Sequence, residues 1–202
     1  MKRIAILLAL AAVSVPAYCQ SAAPPEQPIK TTLCEIKAHP ENFQHKLVEF
    51  RATASHGFED SMVEDAACPW PKDGNPGVWM EFGGTRSTDT MYCCGFTPKP
   101  DRPATLKVDG IEIPLVDDDL LRKFDSELHS AKPQSNESIA VDATLQGRFF
   151  ARRTRLTNRS PERWGGYGHM GCCMLFVVTQ VKSVGEAAAK TNWWDFSRPA
   201  TH

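Results

Sequence analysis

The sequence lacks a charge of one dominant sign: 23 Lys and Arg stand against 24 Asp and Glu, for a formal net charge of −1. So even a balance gives no electrostatic reason to expect a polyanion, and no nucleic-acid partner is expected. Long apolar runs are also missing. The longest, over 4–15, falls short of the roughly 20 residues a membrane-spanning helix needs, so no transmembrane segment is expected. There is no Walker loop, dinucleotide glycine motif, Gly-x-Ser-x-Gly elbow or His-Glu-x-x-His. Nothing therefore assigns a cofactor or a nucleophile, and a non-catalytic role is expected ahead of an enzyme.

What is present begins with a targeting pattern. Lys2 and Arg3 precede the apolar run, and Pro16 and small residues follow as far as Ala23. That order predicts a secretory signal over 1–19, and hence a periplasmic or secreted protein. Cleavage before Gln20 puts Ala17 and Cys19 at the −3 and −1 positions; a cut after Ala17 is the alternative. Pro16 and Tyr18 suit a lipobox poorly, which disfavours acylation of Cys19. The mature chain then keeps Cys34, Cys68, Cys93, Cys94, Cys172 and Cys173, an even set that in an exported protein reads first as disulfides.

Hydrophobic periodicity divides the rest. Residues 20–31 carry Pro24, Pro25 and Pro28 with little to bury and are expected to be a linker to a domain over 32–184. Leu33 and Ile36 at helical spacing predict a short helix over 31–39, ended by Pro40. Alternation predicts strands over 47–54, 61–65 and 77–82, with a turn at Asp73-Gly74-Asn75-Pro76 before the last. Asp109-Gly110 predicts a type I′ hairpin joining Leu106 and Val108 to Ile111 and Ile113. Leu120, Leu121, Phe124 and Leu128 predict a helix behind the acids 117–119. Strands are expected over 139–149 and 174–184, the latter apolar on both faces at its start. Residues 185–202 are expected to be a tail, docked by Trp193-Trp194.

This order, mainly β with one helix between the third and fourth long strands, matches a five-stranded OB-fold-like barrel carrying an inserted hairpin and a short N-terminal helix. The run from His39-Pro40 through Phe43 and Lys46-Leu47-Val48 to Ala52 resembles the entry into the first strand of small exported bacterial proteins with such a barrel. Those often have Gly-Lys-x-Val and a strand glycine; here Gln44-His45 replaces the first glycine and Ala52 the second. The resemblance implies a fold and no chemistry.

Two constellations stand out. Met91-Tyr92-Cys93-Cys94 and His169-Met170-Gly171-Cys172-Cys173-Met174 each hold adjacent cysteines, and neighbouring third and fifth strands would bring them close. The first reading is two disulfides between the segments, with Cys34 bonded to Cys68. The alternatives are copper or zinc bound by Cys93, Cys94, His169, Cys172 and Cys173, or a redox-active bond within a pair. The second constellation is Arg148, Arg152, Arg153, Arg155, Arg159 and Arg163 interleaved with Phe149, Phe150, Trp164 and Tyr167. Guanidinium beside aromatics suits anionic or sugar-like ligands. Arg152, Arg153, Arg155, Arg163, Trp164 and Tyr167 are thus the candidate binding residues for a small anionic or carbohydrate-like ligand or a protein partner. The opposing reading is an exposed hairpin whose arginines pair with acids such as Glu162. His56, Glu59, Asp60, Glu64 and Asp65 match no motif and are expected to form a solvated turn.

Overall fold

A computed structural model describes residues 26–57, 60–68, 77–88, 101–130, 137–155 and 161–191. The expected signal at 1–19, Glu59, the turn at 73–76, Cys93 and Cys94, Arg159 and the tryptophans at 193–194 lie outside them.

The architecture is mainly β. In chain order the elements are β1 (Ile29–Lys30), α1 (Leu33–Ala38), α2 (Pro40–Phe43), β2 (Leu47–Gly57), β3 (Ser61–Glu64), β4 (Val78–Phe82), β5 (Lys107–Val108) and β6 (Ile111–Glu112). Then come α3 (Asp119–Leu128), β7 (Glu137–Phe150), β8 (Arg152–Thr154), β9 (Arg163–Gly165), a 3-10 turn (His169–Gly171) and β10 (Met174–Thr191). A mixed six-stranded sheet runs β1-β2-β3-β4-β10-β7, and β7 also pairs with β2. β4 and β10 are parallel, with Val78 opposite Met174 and Phe82 opposite Val178. The neighbourhood expected for the third and fifth long strands is therefore present. β5–β6 and β8–β9 are separate two-stranded ribbons.

Local chemistry explains the elements. Thr32 caps α1, its Oγ1 accepting from Glu35 N at 3.1 Å, and Leu33 and Ile36 are buried three residues apart. The chain re-enters a short helix at Pro40, whose fixed φ suits a first helical position. Asp118 caps α3 by accepting from Leu121 N at 2.9 Å. Leu121, Phe124 and Leu128 form the buried stripe of α3, but Leu120 is 39% exposed. At about 100° per residue, Leu120 falls off the edge of a stripe centred on the other three. In the β5–β6 turn Asp109 has φ 50° and Gly110 φ 82°, the two positive values of a type I′ turn.

Two expectations about the ends are corrected. The linker's last residues join the sheet: Ile29 and Lys30 pair with Val48 and Glu49, and Glu26 forms an ion pair with Arg148 at 2.6 Å. At the other end β10 continues past residue 184, pairing Ala187 with Val141 and Thr191 with Glu137 through a register shift after Val184. The alanine-rich stretch has low strand propensity, and a ready partner in β7 overrides it.

Two apolar clusters hold these elements. The main one gathers Val48, Phe50, Met80, Phe82, Phe124, Leu145, Phe149, Phe176 and Val178. The second, on the alternate residues of β10, gathers Met62, Trp79, Ile113, Phe150, Cys173, Leu175 and Val177. Successive strand residues point to opposite faces, so β10 is covered on both sides at its start, as its composition predicts. Gly147 is required here, because a Cβ there would lie 2.3 Å from Val177 O.

Candidate functional site

The arginine-aromatic segment forms the β8–β9 ribbon, with Arg152 opposite Gly165, Arg153 opposite Trp164 and Thr154 opposite Arg163. Opposed residues share a face and successive ones alternate, so the candidates divide into two sets. Arg153 and Trp164 share one face, where the Arg153 guanidinium lies 4.6 Å from the indole centroid. Trp164 rests partly on the main core, and Arg153 and the following Arg155 are exposed. Among the described residues neither arginine has an ion pair.

The other face is bound to the protein. Arg152 forms an ion pair with Asp109 and lies over the Tyr167 ring, 4.9 Å from its centroid. Tyr167 Oη donates to Asp109 Oδ2 at 2.9 Å, and His45 Nε2 lies 3.1 Å from the same oxygen. Burial alone would raise the Asp109 carboxyl, but hydrogen bonds from Arg152, His45 and Tyr167 outweigh it and hold the group below its ordinary value. Burial, and then the Asp109 carboxylate, push Tyr167 up to about 12, so it remains a donor at neutral pH. Gln44 Oε1 accepts from Ala151 N at 2.6 Å and fixes the root of the ribbon. Arg152 and Tyr167 thus position the ribbon, whereas Arg153 and Arg155 face solvent. The pairing that anchors it is with Asp109 and not with Glu162.

Asp109, His45 and Gln44 are not legible as site residues in the sequence, where they mark only a turn and a strand entry. Asp109 is 64 residues from His45, 43 from Arg152 and 58 from Tyr167, and only the folded hairpin brings them together. The available signal was the turn itself: Asp is one of the residues a type I′ turn favours before its glycine, and its carboxylate at the hairpin tip is free to serve a neighbour.

Beneath the ribbon lies a disulfide between Cys172 and Cys173. The expected bonds from these cysteines to Cys93 and Cys94 are thereby corrected, since each sulfur makes one such bond. The backbone is irregular at this point: a 3-10 turn precedes it, Gly168 and Gly171 have φ 69°, and Cys172 is helical. Adjacent side chains that a regular strand would send to opposite faces can therefore meet. Gly168 has a second reason to be glycine, because a Cβ would lie 2.6 Å from the Trp79 ring. A bonded pair has no thiolate to give a metal, so copper or zinc on Cys172, Cys173 and His169 would require the reduced protein. Arg163 Nη2 donates to Cys172 O at 3.3 Å, and its Nε is buried without a hydrogen-bond partner. The expected bond between Cys34 and Cys68 is present and ties α1 to the turn after β3.

The cluster read as a solvated turn is also corrected. His56 and Asp60 are 7% and 2% exposed, while Glu64 and Asp65 are half-buried. Gly57 N donates to Asp60 O at 2.9 Å where β2 gives way to β3. His56 packs 4.5 Å from His129, ring to ring, and His129 Nδ1 lies 3.2 Å from Asp125 Oδ1. Burial, then the neighbouring His129, push His56 down to about 4. A cleft of about 580 Å³ lies close by, between α3 and the base of the β5–β6 hairpin. Its arginines are already neutralised, Arg86 by Asp125 and Arg122 by Asp117 and Asp119.

No helix among the described residues is long and apolar enough to cross a membrane. No protein-family model, curated protein or solved structure matches this chain.

Proposed function

We propose that this chain is an exported, disulfide-stabilised binding module built as an OB-type barrel, and that the β8–β9 ribbon takes a small anionic or carbohydrate-like ligand. Five strands support the barrel: β2 pairs with β3, β3 with β4, β4 with β10, β10 with β7, and β7 with β2 again. α3 lies between β4 and β7 in the chain, where this architecture carries its helix. The signal-like N-terminus and the Cys34–Cys68 bond support an oxidising compartment.

One observation carries the ligand reading. Arg153 is held over Trp164 beside Arg155, exposed and without a carboxylate partner among the described residues, on a ribbon fixed from behind by Asp109. A guanidinium already ordered by stacking loses less freedom on binding an anion. Its fork matches a carboxylate or phosphate, and the indole edge offers apolar contact to a sugar ring. An acidic sugar satisfies both. The arginines in the cleft beside α3 are paired and compete poorly for such a ligand.

The test is an NMR titration of the mature protein with an oligogalacturonate, inorganic phosphate and neutral maltotriose. The expected result is movement of the Arg153 Nε–H and Trp164 indole signals with the uronate, less with phosphate and least with maltotriose. Movement confined to residues away from the ribbon contradicts the reading.

A further inference from the structure

The Cys172–Cys173 bond differs from Cys34–Cys68 in what it holds. The Cys34–Cys68 bond spans a sequence separation of 34 and restricts the unfolded chain; the other spans a separation of 1 and restricts almost nothing beyond its own peptide. Its contribution is therefore local, and its surroundings show where that contribution goes. Tyr167 and Cys173 exchange both backbone hydrogen bonds, at 2.9 and 3.0 Å. Cys172 O receives Arg163 Nη2, and Arg163 is adjacent to Trp164 in β9. Tyr167 reaches Asp109, which holds Arg152 in β8. Both strands of the ribbon are thus tied to the two bonded residues. The connection between them holds Gly166, Gly168 and Gly171, all at positive φ, a backbone with wide conformational choice once a restraint is lifted.

We propose that Cys172–Cys173 is a thiol–disulfide exchange site whose redox state sets the conformation of the β8–β9 ribbon and hence its affinity; the affinity part rests on the binding reading above. Cys173 is fully buried and Cys172 half-buried, so an incoming thiolate attacks Cys172 Sγ. That step forms a mixed disulfide to Cys172 and releases the Cys173 sulfur as a thiolate, which takes up a proton. The second thiol of the same reductant, after losing its proton, then displaces Cys172 as a thiolate and closes the reductant's own disulfide. The protein gains two electrons and the reductant, a dithiol, becomes a disulfide. The freed sulfurs no longer fit within bonding distance. Cys173 is packed among Phe150, Leu175 and Trp79, so Cys172 moves and the Arg163 contact moves with it.

The experiment titrates the mature protein with dithiothreitol, traps thiols with iodoacetamide for peptide mass spectrometry, and follows the Trp164 indole and Tyr167 signals by NMR. Oligogalacturonate affinity is measured at both end states. Cys172 and Cys173 are expected to become alkylated at a dithiol concentration about tenfold below that which opens Cys34–Cys68, with Trp164 and Tyr167 shifting in step. A Cys172→Ala, Cys173→Ala variant is expected to show the reduced-state signals without dithiol. Opening of the pair only together with Cys34–Cys68, or opening that leaves Trp164 and Tyr167 unmoved, overturns the switch. A switch that operates while oligogalacturonate binds in neither state upholds the redox site and removes the ligand reading instead.

Discussion

The two ends of β2 place titratable side chains in opposite surroundings, one open to solvent and ringed by donors, the other buried against a like neighbour. At its start, Asp109 sits among His45, Arg152 and Tyr167, and the three donors hold it ionised despite some desolvation. At its finish, His56 is buried against a second histidine, and burial wins, pushing it down to about 4. A titratable group keeps its charge where the fold supplies opposing partners and loses it where burial comes without them. The first end is a clamp that works at neutral pH, whereas the second is a point of acid weakness.

The largest effect lies in the long-range disulfide that ties α1 to the turn after β3. Replacing Cys34 and Cys68 with Ser is expected to cost about 4 kcal/mol in urea unfolding, whereas Cys172→Ala with Cys173→Ala should cost less than half of that. Next is Asp109→Ala, which removes the acceptor shared by Arg152, Tyr167 and His45, leaves Arg152 and His45 open to solvent, and is expected to cost about 2 kcal/mol, with loss of the ribbon's NMR contacts. If Asp109→Ala unfolds like the parent, the clamp at the start of β2 is not one.

The other end is tested by pH. Between pH 6.5 and about 4 the unfolded His56 binds a proton that the folded one refuses, so stability falls as pH falls through that window. His129 runs against this: burial lowers it, but Asp125 and the backbone carbonyl of Thr88 more than compensate, so it is raised and its contribution favours the fold at low pH. The expected net loss is about 2 kcal/mol, read from urea midpoints across that range. His56→Gln should flatten the profile, and an unchanged slope would break the comparison.

The contrast between ends also explains what was legible. The β5–β6 turn was readable because Asp109-Gly110 carries its geometry in two adjacent residues, and α3 because Leu121, Phe124 and Leu128 repeat with the helix. The Cys34–Cys68 pairing was readable because these are the two mature-chain cysteines outside the adjacent pairs. What Asp109 and His56 would meet was not readable, because their partners lie tens of residues away and are chosen by packing. His56 and Asp60 were read as solvated from their polarity alone, which says nothing of the packing of His56 against His129. The bond between Cys172 and Cys173 stood only among the alternatives, because whether adjacent cysteines can meet depends on the irregular backbone that the 3-10 turn supplies. The ribbon lay between the two cases: its residues were conspicuous, but which arginine faces solvent depended on a register set after folding.

The smallest stability effect carries the most functional weight. Arg153→Ala with Arg155→Ala removes two exposed cations that have no ion pair among the described residues and should change stability by less than about 0.5 kcal/mol. Affinity of that variant for oligogalacturonate, measured by isothermal titration calorimetry on the oxidised mature protein beside the parent, is the direct test of the ribbon as ligand surface. A loss of about tenfold or more at an unchanged melting temperature is the predicted result. Parent-level affinity in the variant would contradict it.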